Sequence, residues 1–410
     1  MQTAIRGYVQ VGRRPAFRRF WLGMMISRTG DAFTVVALAW VVLNLAGPLQ
    51  LGVVLLCSGL PRVVSGPVAG RILDRRNPRL LLAADNAARG LLIAVVPVLL
   101  WLHHLVVADL YGVAVASALL SAVTEVAEAA LVPRMADDEH LEVANSLLAA
   151  NWELASIAGP AVAGVIVAAV GAGFALLLDA ISFAVMSALC LSLPEFRKAR
   201  PAHQGNQGPR RNWLGLGILL RFPAVLALTA CGTGLLCLDG MATVLYPVYC
   251  RTFLHVSAAG YGVLVAAAGL GGLLGVAFGP GLFGVIAAPW VRIATVIACG
   301  APPFALLRVA PDLPAAAVLL GLAAFSWAPY FAFDRTLMQR LVPDNVRSAV
   351  AGARMTLTSL GFPLGSTIGG ALIGAVGVPA MILAIAGAYL TLALLASGLR
   401  CYDPAAQDRG

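Results

Sequence analysis

Apolar runs long enough to cross a bilayer recur along this chain, separated by brief polar or Gly/Pro breaks. A run of about 20 such residues spans the hydrocarbon core as one helix. In lipid every backbone amide must find its partner within the protein, so runs of this kind fold as helices. They fall at 20–45, 48–69, 80–102, 106–130, 143–169, 173–193, 222–249, 257–278, 288–309, 313–333, 347–376 and 378–399. The spacing predicts an all-α integral membrane protein with twelve transmembrane helices. The 410 residues are 60% hydrophobic and 11% charged, against about 25% charged in a soluble domain. A soluble enzyme, a nucleic-acid-binding domain and a disordered chain are thereby excluded. Arg6, Arg13, Arg14, Arg18 and Arg19 precede a first run that exceeds the roughly 7–15-residue core of a cleavable signal peptide, so it reads as an uncleaved helix.

The charges orient the bundle. With the N-terminus in the cytoplasm, only Arg251 and Arg308 of the 28 basic residues fall in outside loops. Arg28, Arg62, Arg89 and Arg354 lie inside spans, and the others fall on the inner side. This asymmetry follows the positive-inside rule and points to an even number of spans. The net charge of +9 is therefore a topology signal facing the anionic cytoplasmic leaflet, not a nucleic-acid footprint. Both termini are expected in the cytoplasm, with the chain in the plasma membrane.

The longest polar stretch, 194–221, lies near the middle of the chain and reads as a cytoplasmic linker. The expected division is an N-terminal six-helix bundle over 1–193, the linker, and a C-terminal six-helix bundle with a short tail over 222–410. An internal repeat supports it. Leu131-Val132-Pro133 recurs as Leu341-Val342-Pro343, and residues 157–171 align with 363–377, pairing Gly159 with Gly365, Gly164 with Gly370 and Gly171 with Gly377. Two parallel six-helix units form a transporter architecture, with the substrate site between them near the bilayer midplane.

The most specific local signal lies between the second and third spans, Gly66-Pro67-Val68-Ala69-Gly70-Arg71-Ile72-Leu73-Asp74-Arg75-Arg76-Asn77-Pro78-Arg79. Here the sequence resembles the major facilitator superfamily, whose loop at this place reads G-x-x-x-D-R/K-x-G-R-R/K. Gly70, Asp74, Arg75 and Arg79 match, and Asn77 stands where the family has its second Gly. Asn tolerates a left-handed turn, and Asp74 can cap a helix. The resemblance implies a charged gating latch, with Glu125 and Glu128 at the end of the fourth span placed to pair with Arg71, Arg75 or Arg79. Gly159-Pro160-Ala161-Val162-Ala163-Gly164 resembles the superfamily's antiporter motif, which the family associates with export. Physically, Pro160 removes a backbone hydrogen bond while Gly159 and Gly164 admit a close neighbour. Gly271, Gly275 and Gly279, and Gly361, Gly365 and Gly369, form small-residue stripes expected to pack at the seam between the halves.

Ionisable groups inside a membrane mark function by default. The acids are Asp31, Asp85, Glu153, Asp179 and Asp239, the bases Arg28, Arg62, Arg89 and Arg354. Arg28 and Asp31, three apart, and Asp85 and Arg89, four apart, share helix faces and are expected to pair. At about 1.5 Å per residue, Asp31, Arg89 and Glu153 lie roughly 14–17 Å into their spans, near the midplane. Acids outnumber bases, so at least one carboxyl lacks an arginine of its own and can load and unload a proton. Asp31, Glu153 and Asp239 are the candidates, while Asp179 reads as a solvated vestibule residue nearer the outer end. Trp152, Trp327 and Tyr330 are the candidates for lining a substrate cavity.

The cysteines have no metal-ligand spacing, and His103 and His104 lack partners, so no metal site or cofactor is expected. No catalytic motif and no sizeable soluble segment stands out, and no enzyme is expected. Across its length the chain is most similar to the superfamily branch of drug and siderophore exporters, which holds the enterobactin exporter and the macrolide efflux proteins. The resemblance implies a monomeric, proton-coupled exporter of an amphipathic small molecule by alternating access. An uptake permease of the same fold and a membrane protein without a transport cycle remain the alternatives.

Overall fold

The computed structural model describes residues 10–75, 77–137, 140–195 and 216–398, with the side chains of 63–64, 66–75 and 129 outside the described set. Most of the expected linker, and both chain ends, therefore lie outside it. The elements are α1 (Pro15–Leu45), α2 (Pro48–Arg75), α3 (Pro78–Trp101), α4 (Val107–Met135), α5 (Leu141–Val170), α6 (Ala172–Leu191), α7 (Pro223–Thr252), α8 (Ala258–Phe283), α9 (Pro289–Leu306), α10 (Leu313–Trp327), α11 (Tyr330–Leu341), α12 (Asp344–Ser359) and α13 (Gly361–Gly398). No strand occurs among the described residues. Proline sits in the first turn of α1, α3, α7, α9 and α10, where its missing N–H costs nothing.

Among the described residues, ten helical segments are long and apolar enough to cross a membrane, and α2 adds a further 28-residue helix. One of the ten, Asp344–Gly398, has 55 residues. At about 1.5 Å per residue it would be roughly 80 Å long, more than twice a bilayer core. It is broken at Gly377, whose φ of 76° and ψ of 170° belong to a region open essentially to glycine alone. Gly171, its partner in the sequence repeat, has φ 92° and ψ 162° and separates α5 from α6. The same glycine in each copy of the repeat ends one helix and begins the next.

Several helices outrun their apolar runs. The fourth span was expected to end at 130 and the tenth at 333, but α4 continues to Met135 and α11 to Leu341. An α-helix satisfies its own amides, so it carries polar residues on without a break. At the second break, α2 extends through Gly70, Asp74 and Arg75. Asn77 does not adopt the expected left-handed turn. Asn77 is extended (φ −72°, ψ 121°) and caps α3, its side chain accepting from the Arg79 amide at 3.1 Å.

The chain divides into two compact units. Unit 1 holds 1–46, 60–204 and 257–262, and unit 2 holds 47–59, 205–256 and 263–410. In unit 1, α6 packs against α1 and α3, and α1 against α5. A core of Phe17, Phe20, Leu82, Leu131 and Met186 closes one end. In unit 2, α13 packs along α7 and α9. Within unit 2 the glycine stripes bring neighbouring helices of that unit together. Gly361, Gly365 and Gly369 press on the α7 backbone at Thr233, Cys237 and Met241, and Gly271 and Gly275 on α10 at Gly321 and Phe325. A Cβ at Gly361, Gly365 or Gly271 would overlap main-chain atoms, so the stripes bring helix axes together inside unit 2.

Candidate functional site

Unit 1 gathers charged side chains inside its apolar helices. On α3, Arg89 is 8% exposed. Its Nη2 lies 3.1 Å from Asp31 Oδ1 on α1, and its guanidinium sits 4.2 Å over the Phe183 ring of α6. On α1, Arg28 Nη2 meets Glu128 Oε2 of α4 at 3.3 Å, with its guanidinium 4.8 Å over Trp152 of α5. Asp85 is buried and accepts from Thr124 Oγ1 of α4 at 2.5 Å. Asp179 on α6, 1% exposed, accepts from Thr34 of α1 and, at 3.1 Å, from Ser182. Gly30 makes this contact possible, because a Cβ there would strike Ser182 and Asp179. Arg62 on α2 shares its electrostatic surroundings with Asp31, Arg89, Glu125 and Arg28.

The balance of this network is its main chemical property. Among the side chains just described, Asp31, Asp85, Glu125, Glu128 and Asp179 accompany three guanidiniums, Arg28, Arg62 and Arg89. Asp85 and Asp179 rest on hydroxyl donors rather than on arginine. Hydroxyl partners suit a carboxyl in either protonation state, since a hydroxyl both donates and accepts. Beside this network lies a cavity of about 370 Å³ whose walls include Met24, Arg28, Glu125, Glu128, Asn151 and Trp152. It combines an aromatic face, apolar patches and acidic groups, which suits an amphipathic guest.

The expected same-helix pairs do not form. Arg28 turns to Glu128 rather than Asp31, and Arg89 turns to Asp31 rather than Asp85. Between packed helices the partner across the contact is as close as the one a turn away, and pairing across it also ties two helices together. Among the described residues Glu128 pairs with Arg28; the side chains of Arg71 and Arg75, its other expected partners, lie outside the described set. Arg79 instead donates to Leu193 O at 2.6 Å. The side chains of Asp74 and Arg75 lie outside the described residues. Asp179 is no vestibule residue but one of the most enclosed acids of unit 1. Glu153 lies beside Trp152 on the exposed side of α5. The antiporter-like motif is a packing site: Gly159 faces Ala32 of α1, and Gly164 the Ala258–Gly262 turn of α8.

In unit 2, Asp239 on α7 is half-buried and its charge acts on the Tyr389 phenol. Trp327 packs edge-on to Phe331 at 6.1 Å. Tyr330 is enclosed in the core and has no face to offer a cavity in this conformation. Its hydroxyl donates to Asp334 Oδ1 at 3.1 Å, and the same oxygen accepts from Arg354. Sequence reading missed Asp334, because the apolar run ends one residue earlier. Arg354, a buried cation with no acid on its own helix face, was the available signal that a carboxylate had to lie nearby.

A family model described as Major Facilitator Superfamily matches residues 20–365. Multidrug efflux pump Tap of Mycolicibacterium fortuitum is 26% identical over 391 residues, covering 90% of this chain and 91% of that protein. The Mycobacterium tuberculosis protein of the same name is 26% identical over 388 residues, covering 91% and 90%. Among solved structures, nucleoside transporter NupG aligns with a TM-score of 0.71 over 94% of this chain and 99% of that one, at 15% identity. A bacterial homologue of the iron transporter ferroportin, in its inward-facing state, aligns with a TM-score of 0.71 over 94% and 98%, at 16% identity. At such identities these two likenesses speak for the fold alone.

Proposed function

Because the chain belongs to the Major Facilitator Superfamily, we propose that it is a proton-coupled exporter of amphipathic small molecules, working as a monomer in the plasma membrane. In this reading twelve spans form two six-helix bundles, 1–193 and 222–410, joined by the linker 194–221, with both termini in the cytoplasm. Cargo enters a cleft between the bundles from the inside, and rocking of the bundles opens it outward. Proton entry at a buried carboxyl resets the cycle. Asp31 is one coupling group, and Glu153 or Asp239 the second. Gly70, Asp74, Arg75 and Arg79 form the gating loop, and Gly159, Pro160 and Gly164 the pliant packing site.

The observation that carries the proposal is the polar network of unit 1, in which Asp85 and Asp179 rest on hydroxyl donors rather than on arginine, beside a cavity walled by Trp152, Glu125 and Glu128. Two carboxyls with no arginine are expensive to keep ionised in a low-dielectric interior, so they are natural proton carriers. The outward direction is supported by whole-length relatives that bear the name multidrug efflux pump. The test uses ethidium as probe in inverted membrane vesicles holding the full-length chain. An imposed proton gradient should drive ethidium into the vesicles, and a protonophore should stop it. Combining Asp31→Asn, Glu153→Gln and Asp239→Asn should abolish the gradient dependence. Unchanged proton-driven accumulation in that triple variant overturns the coupling assignment. Accumulation in right-side-out vesicles alone would mark the protein as an uptake permease.

A further inference from the structure

Among the buried side-chain atoms that lack a partner are Asp85 Oδ1 and Arg89 Nε, from residues four apart on α3. Such a pair lies on one helix face within side-chain reach. Arg89 is engaged by Asp31 through Nη2, which leaves Nε unused. Asp85 has one oxygen held by Thr124 and the other bare, at 4% exposure. A bare, ionised, buried oxygen is the costliest state a carboxyl can adopt, and either a proton or a guanidinium relieves it. One guanidinium thus has two carboxyls in reach. The Phe183 ring beneath it offers a surface along which its plane can turn while staying in a cation–π contact.

We propose that Arg89 exchanges between Asp31 and Asp85, and that Asp85 is a positioning residue that holds a proton on Oδ1 whenever Asp31 holds the arginine. The proton balance is closed. Asp31 takes one proton from water, its ion pair with Arg89 breaks, and the guanidinium turns to Asp85. The Asp85 proton then leaves to water. One proton is bound and one released, and the three groups together stay neutral before and after.

The groups that face this exchange come from every neighbouring helix. Arg28 of α1 is held off by Glu128. Arg62 of α2 and Glu125 of α4 share the electrostatic surroundings of Arg89 and Asp31. Asp179 of α6 lies close enough for its charge to act on Asp31, and that second acid favours Arg89 on the Asp31 side. Asp85 lies one helical turn before Arg89 on α3, within reach of the guanidinium when it leaves Asp31. The purpose of the exchange rests on the proton-coupled reading above, but the exchange itself is measurable without cargo.

The test is labelling of the full-length chain in liposomes at pH 7.5 with dicyclohexylcarbodiimide, which reacts with protonated carboxyls, read by peptide mass spectrometry. Wild-type protein should carry the adduct on Asp85 and not on Asp31. Asp31→Asn frees Arg89, so Asp85 should become ionised and lose its adduct at least tenfold. Arg89→Gln is the second variant, and should leave both Asp31 and Asp85 open to labelling. An Asp85 adduct unchanged in Asp31→Asn, or no Asp85 adduct in the wild type, overturns the exchange and leaves the exporter reading untouched. Conversely, absence of ethidium transport by the wild type overturns the exporter reading and leaves the labelling pattern to stand by itself.

Discussion

The two units hold their helices together in different ways. Unit 1 ties α1, α3, α4 and α6 with polar pairs: Asp31–Arg89, Arg28–Glu128, Asp85–Thr124 and Asp179–Thr34. Unit 2 brings backbones into direct contact at glycine, and encloses an ion pair, Asp334–Arg354, with Tyr330. In lipid the hydrophobic effect does not drive helices together, so close packing and hydrogen bonds are the remaining means, and each unit leans on one of them. The contrast matters because the two means differ in how many states they permit. Where carboxyls outnumber guanidiniums, several pairings have similar energy and protons choose among them. Where one acid meets one base between tightly apposed helices, a single arrangement is favoured. In the proposed cycle the polar pairs of unit 1 are accordingly the ones suited to exchange partners, while the glycine contacts of unit 2 favour a single arrangement.

The contrast can be broken most directly at Arg354, the site of the largest expected effect. Asp334 is 9% and Arg354 7% exposed. Arg354→Ala leaves the carboxylate buried and unpaired, which costs about 3–5 kcal/mol. The double variant Arg354→Leu with Asp334→Leu should recover most of that loss. Arg89→Ala should cost distinctly less, because the Asp31 side chain is 33% exposed and can take a proton or meet water. Thermal unfolding of the purified protein in detergent, following the intact fraction, measures all three. Equal losses for Arg354→Ala and Arg89→Ala would remove the distinction between the units.

The glycine contacts come next. At Gly271 a Cβ would run into the Gly321 main chain, whereas Gly272 has nothing within 4 Å. Gly271→Val should therefore destabilise by about 1–3 kcal/mol, since backbone cannot step aside as a side chain can. Gly272→Ala should be neutral or stabilising by up to about 1 kcal/mol, through higher helix propensity. The neighbouring pair is its own control, and a matching loss at both positions would mean that α8 is not held by close approach.

In unit 1 the hydroxyl contacts offer a smaller test. Thr124→Val removes the donor to Asp85 and should cost about 1–3 kcal/mol if that carboxyl is ionised, against about 0.5–1.5 kcal/mol if it is neutral. The same melting assay at pH 6 and pH 8 separates the two. An equal, small cost at both pH values is the expected sign, because Asp85 stays neutral while Asp31 holds Arg89; in an Asp31→Asn background the cost should rise to the larger range.

How much of this could be read from the chain alone follows from these particulars. Helix positions were legible because apolar length is a one-dimensional signal; ends such as those of α4 and α11 were not, because a helix continues past the bilayer without needing apolar residues. The repeat located Gly171 and Gly377 as equivalent, and only backbone angles reveal that both are helix breaks. The intramembrane charges were legible as a set, but their pairing was not. Whether Arg89 meets Asp85 or Asp31 depends on the rotation of α3 against α1, which no spacing within one helix encodes. Asp179 was misplaced for the same reason, its depth in α6 being readable but not the side of α6 it occupies.

The smallest expected effect tests whether charge pairs in unit 1 matter by membership of that unit or by burial. At its water-facing end, Arg14 donates to both carboxylate oxygens of Asp137, outside the membrane-spanning helices. The Arg14 hydrogen bond holds the Asp137 carboxyl below its ordinary value, with the charges of Arg14 and His140 acting in the same direction. A depressed carboxyl contributes stability above its unfolded pKa of about 4 and loses it as pH falls through the lower folded value. The wild type should therefore exceed Asp137→Asn in melting temperature by a constant margin from pH 7 to about 5, and the margin should shrink below about pH 4. Asp137 is exposed, so the margin should be small and should fall further in 0.5 M salt, where charges are screened beyond roughly 4–5 Å. A margin that rivals the Arg354 effect, or that ignores salt, would show that water does not weaken this pair, and burial could then no longer explain why the two units differ.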